Sequence, residues 1–264
     1  MQELSFEMAD QHDRLTVQVR FYEELNDFLP PVRRKRELVK ILNHSTTVKD
    51  IIESFRIPHT EVDLILVNGE SVDFDFRVKD KDQISVYPVF ESLDITPMVR
   101  LQERPLRNLK FVADVHLGKL VRFLRLLGFD TFYRNHHPDM DLLRIMEQEH
   151  RGLLTRDRPL LMHRRVTRGY WLRSQDPYQQ ILEVLKRFDL WEQIQPYHRC
   201  LRCNGVLTPV SKKAIMDRLE PKTKKYYSDF VQCSNCKNIY WKGSHYSRLN
   251  ALIKKIKSHS GSKI

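Results

Sequence analysis

The chain has 264 residues, 41% of them hydrophobic and 30% charged, which is enough for two compact domains and a small third and excludes a disordered chain. With only 8 glycines the composition favours dense secondary structure, and no apolar run approaches the roughly 20 residues that span a bilayer. The net charge of +11 is segregated, with −7 over residues 1–95, +6 over 96–195 and +12 over 196–264, a footprint that suits a polyanion such as nucleic acid at the basic end.

The opening MQELSFEMADQHDR is acidic and lacks the basic and apolar regions of a signal peptide, so residues 1–13 read as a tail of a cytoplasmic protein. Residues 15–22 alternate like a strand, and Arg36–His44 is a second strand beyond the Pro30-Pro31 break. Thr47 is placed to cap a helix over Val48–Phe55, whose Val48, Ile51, Ile52 and Phe55 recur at helical spacing. Asp63–Asn68, a turn at Asn68-Gly69 and a last strand over Gln83–Phe90 complete an α+β reading.

In these residues, above all LILVNGESVDFDFRVKDKDQISVYPVF, the chain resembles the ubiquitin-like β-grasp domains of the sulfur-carrier type, over residues 14–92. Those carriers act through a free C-terminal Gly-Gly. Here the strand runs on into Phe90-Glu91-Ser92-Leu93, so the resemblance implies the fold without the carrier chemistry. Its acidic character leaves it free to meet a protein partner or the basic half of the same chain.

Residues 93–108 carry two prolines and little periodicity and read as a linker. A strand over Leu109–Ala113 then ends at Asp114, and a helix follows over Leu117–Leu127 with Leu117, Leu120, Val121, Leu124 and Leu127 on its apolar face. Thr131–Tyr133 reads as a strand, Asp139–His150 as a helix and Gly152–Arg156 as a strand ending at Asp157. Asp176 and Pro177 start a last helix, to Phe188. This alternation predicts an α/β domain with a parallel sheet over residues 109–195.

Asp114 and Asp157 each follow the C-terminal end of an expected parallel strand, where open α/β sheets place their sites, and Asp139 or Asp141 opens the helix between them. Such carboxylates can hold Mg²⁺ or Mn²⁺ through oxygen. Asp139 could equally be a helix cap, and Asp157 a solvated loop residue. Lys119, Arg122 and Arg125 recur on what would be the exposed face of the first helix, Arg156 and Arg158 flank Asp157, and Arg164, Arg165 and Arg168 follow. Cations beside acidic ligands suit an RNA backbone approaching an otherwise repulsive site.

Cys200-Leu-Arg-Cys203 and Cys233-Ser-Asn-Cys236, about thirty residues apart, present two pairs of thiolates from two tight turns. That is the donor set of a closed, structural zinc ribbon, here over residues 196–247 with an inserted segment Lys212–Asp229. Tyr240, Trp241 and Tyr246 are interleaved with Lys237, Lys242, His245 and Arg248. They can stack on unpaired bases or simply pack against the cysteine turns. Residues 248–264 read as a basic tail.

FVADVHLGKLVRFLRLLGFDT, DMDLLRIMEQEHRGLLTRDR and the C-x-x-C pairs followed by YWKGSHY resemble, in that order, the PIN-like RNase family named for the Mut-seven C-terminal domain. The resemblance spans about residues 109–247, and members of that family commonly carry a ubiquitin-like domain ahead. It implies a metal-dependent ribonuclease with Asp114, Asp157 and Asp139 (or Asp141) as catalytic Mg²⁺ or Mn²⁺ ligands. Its partner would be RNA, whether tRNA, rRNA or mRNA, with no membrane. Lys119, Arg122, Arg156, Arg158 and Lys242 are the RNA-binding set this reading favours. The fourth acidic residue of a full PIN site has no equivalent here, since Asp176 reads as a helix cap; a non-catalytic RNA-binding adaptor is the alternative.

Overall fold

The computed structural model describes residues 14–89, 101, 109–136 and 138–260. The expected tail 1–13, the run Phe90-Glu91-Ser92-Leu93, the linker 93–108 apart from Leu101, and residues 261–264 of the basic tail lie outside them. The described chain falls into two units, one of residues 14–89 and 101 with 157–170 and one of residues 109–156 with 171–260.

The first unit is a mixed sheet with one helix across it. Its elements are β1 (Leu15–Phe21), β2 (Glu37–Leu42), α1 (Val48–Ser54), β3 (Val62–Val67), β4 (Glu70–Val72) and β5 (Gln83–Pro88). The strand order is β2-β1-β5-β3-β4, with β1 and β5 parallel at the centre and the other pairs antiparallel. That is the β-grasp arrangement the sequence leads one to expect. Alternation in β1 turns Val17, Val19 and Phe21 into a core shared with Val48, Ile51 and Ile52 of α1, all 1% exposed or less. Thr47 caps α1 in a reciprocal box: its hydroxyl accepts from the Asp50 N–H at 3.2 Å, while the Asp50 carboxylate accepts from the Thr47 N–H. The two threonine hydroxyls, Thr47 and Thr46, hold the Asp50 carboxyl below its ordinary range.

The second unit opens with β6 (Phe111–Ala113), followed by α2 (Gly118–Leu126), β7 (Thr131–Phe132), α3 (Asp139–Glu149) and β8 (Gly152–Thr155). β6 pairs in parallel with both β7 and β8, as strands alternating with helices require. All five apolar residues expected on the first helix are buried. The segment that follows, with α4 (Arg158–Leu161), belongs to the first unit. Arg158 donates to the Phe28 carbonyl at 3.1 Å with its guanidinium 4.9 Å from the Phe28 ring centre. His59 stands 2.7 Å from the Val166 carbonyl on one ring nitrogen and 2.7 Å from Glu53 on the other. The sequence gives no sign of this regrouping, because long-range packing decides it.

The second unit resumes at Trp171, the last residue of β9 (Gly169–Trp171), and the Leu172 N–H donates to the Thr155 carbonyl at 2.9 Å. α5 (Pro177–Arg187), capped by the Asp176 side chain at 3.1 Å from the Gln179 N–H, packs on α2. Beyond it, β10 (Leu207–Val210), α6 (Pro221–Tyr226), β11 (Phe230–Cys233) and β12 (Ile239–Trp241) form an antiparallel three-stranded sheet with a helical insert. α7 (Ser244–Lys257) then occupies most of what reads as a basic tail. It buries Ile253 and Ile256, and Lys255 lies 4.4 Å over the Tyr178 ring of α5.

Candidate functional site

The four cysteine ligand atoms lie within 4.8 Å of one another, and among the described residues they are the one group of three or more His, Cys, Asp or Glu placed to share an ion. Cys200 and Cys236 stand 3.7 Å apart at sulfur, and Cys203 and Cys233 stand 3.4 Å apart. A zinc–sulfur bond of about 2.3 Å gives tetrahedral edges of roughly 3.8 Å, so the set is compatible with a structural zinc. Gly205 is part of the cradle, since a Cβ there would come within 2.7 Å of the Cys233 sulfur and 2.9 Å of Asn235.

Burial pushes the Cys203 thiol up, but the Gly205 N–H and the thiols of Cys236 and Cys233 outweigh it and lower it to about 6. Burial raises Cys233, and it drives Cys236 to about 12 with help from the neighbouring sulfurs. Burial also raises the Tyr240 hydroxyl, which lies 3.1 Å from the Cys200 sulfur. The sequence reading gave Tyr240 only base stacking or packing; this contact to a ligand is new.

Arg125 overturns its expected place on an exposed helix face. It is 4% exposed and donates to the Leu201 and Arg202 carbonyls inside the first cysteine turn, at 3.3 and 3.0 Å, and to the Thr131 carbonyl at 2.9 and 3.1 Å. Periodicity misleads here because the ribbon covers that face of α2. Burial draws the guanidinium below its usual value, against the pull of Cys203, Cys200 and Asp130. Asp130 is the second tie. It accepts from Arg151 at 2.6 Å and Asn204 at 2.8 Å and pairs with Arg199 at 3.3 Å. Burial works against its charge, but the Arg151 and Asn204 hydrogen bonds prevail and hold the carboxyl below the ordinary range. The cysteine turn and the parallel sheet are thus fastened within one unit.

Asp114 directly follows β6. It is 7% exposed, its N–H donates to the Leu154 carbonyl at 3.0 Å, and its carboxylate accepts from the Thr155 hydroxyl at 2.8 Å. Thr155 is a partner that sequence reasoning missed, because only the register of β6 on β8 brings it to Asp114. Asp139 is exposed and is the first residue of α3, with Pro138 rather than Asp139 in the cap position. Asp141 accepts from Arg144 at 3.0 Å. Asp157 is exposed in the first unit, where it caps α4 by accepting from the Leu160 N–H at 3.3 Å. Within the second unit, the described Asp114, Asp139 and Asp141 do not form a shared ligand set as the cysteines do.

Lys119 and Arg122 are exposed on α2, and Arg156 is half-buried with its carbonyl accepting from the Trp171 indole at 3.1 Å. Lys242 is exposed, 5.9 Å over the Tyr246 ring, and His245 is exposed too. The sequence matches the Mut7-C RNAse domain over residues 109–253, more than half of the chain. The chain belongs to the Mut7-C RNase domain family. Residues 14–94 match the Mut7-C ubiquitin domain. The Mut7-C match runs from β6 into α7 and so takes in the sheet, the cysteine cluster and the Arg125 and Asp130 ties together. No curated protein and no solved structure matches the sequence. Among the described residues no helix is long and apolar enough to cross a membrane.

Proposed function

We propose that the chain is a metal-dependent ribonuclease that hydrolyses RNA phosphodiesters around Asp114, with Asp139 and Asp157 as further ligands and a zinc ion on the four cysteines for structure. Asp114 carries the reading. It is a carboxylate only 7% exposed, and its one side-chain partner among the described residues is the neutral Thr155 hydroxyl. A charge buried without a counter-charge is costly, and a divalent cation would offset that cost. Carboxylate oxygens are the donors that Mg²⁺ and Mn²⁺ prefer. A cation held there would supply an acidified water and neutralise phosphate charge.

Asp139 is the better partner than Asp141, whose carboxylate already serves Arg144. Lys119 and Arg122 would track the RNA backbone, joined by Arg156, Arg158 and Lys242; Arg158 would first have to leave the Phe28 carbonyl. Zinc on four thiolates leaves the cluster at −2, and the buried Arg125 supplies a counter-charge. No open ligand position remains, so that metal is structural. Free thiols in this arrangement suit the reducing cytoplasm.

Purified protein incubated with mixed RNA should cleave it in Mg²⁺ or Mn²⁺ and not in chelator. Asp114→Asn should still bind RNA and lose cleavage. No metal-dependent cleavage by the wild type, or full cleavage by Asp114→Asn, would overturn the reading. One observation favours a second reading, a non-catalytic RNA-binding adaptor: the described carboxylates do not form a ready ligand set. The N-terminal stretch 1–95, which carries −7 and has no Gly-Gly in its sequence, is then a surface for a protein partner rather than a carrier of sulfur.

A further inference from the structure

The ribbon and the start of α7 enclose a groove of about 710 Å³, within the ~300–1,000 Å³ typical of ligand pockets. Its lining joins Trp241, Tyr246 and Tyr197 with Arg199, Lys212 and Lys242, against a single carboxylate, Asp229. The aromatics are arranged in two groups. Tyr197 and Tyr246 stack at 5.2 Å between centroids and 29° between planes, and Tyr197 donates to Asn250 of α7 at 2.7 Å. Trp241 lies 6.3 Å from both Tyr227 and Phe230, yet stays 39% exposed. A Cβ on Gly243 would come within 2.9 Å of the Trp241 indole nitrogen, so the bare backbone at that position is what lets the indole lie where it does.

The cations set the choice of occupant. Lys242 is exposed and held 5.9 Å over the Tyr246 ring, and residues 196–264 carry 15 Lys and Arg against 3 Asp and Glu. An apolar protein segment gains nothing from that charge, whereas a strand of phosphates does. Aromatic faces beside a basic rim accept unpaired bases and reject duplex, whose bases are already stacked on one another.

We propose that this groove binds single-stranded RNA, with a base stacked on Trp241 and the flanking phosphates on Lys242. This makes single strands the substrate class, a conclusion that rests on the ribonuclease reading for the identity of the polymer as RNA. The groove holds none of the carboxylates assigned to cleavage, so binding and chemistry can be separated.

The test uses the full chain with Asp114→Asn to prevent cleavage, a fluorescein-labelled oligouridine and a blunt duplex RNA of equal length, read by anisotropy. Zinc content and circular dichroism confirm that each variant is folded. Trp241→Ala should weaken single-strand binding on the order of tenfold or more, Trp241→Phe should keep most of it, and Lys242→Gln should lower its salt dependence. Duplex binding should be weaker than single-strand binding and little changed by Trp241→Ala. Folded Trp241→Ala that binds oligouridine like its parent overturns the groove assignment and leaves the ribonuclease reading standing, with a protein segment as the groove's occupant. Absence of any RNA binding and cleavage by the wild type overturns both.

Discussion

The cysteine cluster and the aspartates around Asp114 are built on opposite terms. The four sulfurs are drawn together by the fold, with a glycine cleared away beneath them, a tyrosine hydroxyl on Cys200 and a buried arginine at the turn. The aspartates have no such frame: Asp114 is buried against one threonine hydroxyl, Asp139 is exposed at a helix start, and Asp157 serves as a helix cap. A site that only has to hold shape can be closed in advance. On the proposed reading, the aspartate site must admit a phosphate, a hydrated cation and water, and so would keep most of its ligands at the surface with one buried carboxylate to mark the place.

Removing one sulfur should have the largest effect of any single change. Cys233→Ser should lose the zinc and unfold residues 196–257, because metal binding and folding of such a site are one equilibrium worth on the order of 10 kcal/mol. Elemental analysis and limited proteolysis would show it, and a quadruple Cys→Ser variant that keeps zinc would break the comparison at its firmer end. Arg125→Ala should come next, costing about 3–5 kcal/mol in chemical denaturation, since it strands the carbonyls of Thr131, Leu201 and Arg202. A cost below about 1 kcal/mol would mean that the ribbon is not fastened to α2 through this residue.

On the aspartate side, Asp139→Asn should lower cleavage on the order of a hundredfold, and Asp141→Asn far less. Equal losses would remove the distinction drawn from Arg144. The smallest effect is one of pH. Asp130 is held below its ordinary range, so the stability it contributes is fully present above about pH 4 and is lost as pH falls through its folded value. Acid titration of the second unit should therefore steepen below about pH 4, and Asp130→Asn should flatten that limb while costing about 1–3 kcal/mol at neutral pH.

Much of this was legible in the sequence. Four of the five strands of the first unit (all but the short β4), the Thr47 cap, the Asp176-Pro177 helix start and the paired C-x-x-C turns are local signals, set by periodicity, capping and spacing. What failed was long-range. Arg125 sits at a polar position of an amphipathic pattern, and nothing local says that a turn 76 residues on will cover it. The stretch 157–170 follows a strand of the second unit, yet its bonds to Phe28, and of Val166 to His59, cross more than 100 residues. The basic end misled in another way: its charge masks a helix whose burial rests on Ile253 and Ile256 alone. At the candidate site, Asp114 was readable from its place after a strand, whereas Thr155 needed the register of β6 on β8.

The most direct test measures both metals and cleavage on one preparation. After mild chelation the protein should retain one zinc per chain and lose cleavage, and adding Mg²⁺ should restore cleavage in the wild type but not in Asp114→Asn, with zinc unchanged throughout. Cleavage that survives chelation, follows the zinc content, or returns equally in Asp114→Asn would contradict the division between a closed cysteine site and an open carboxylate one.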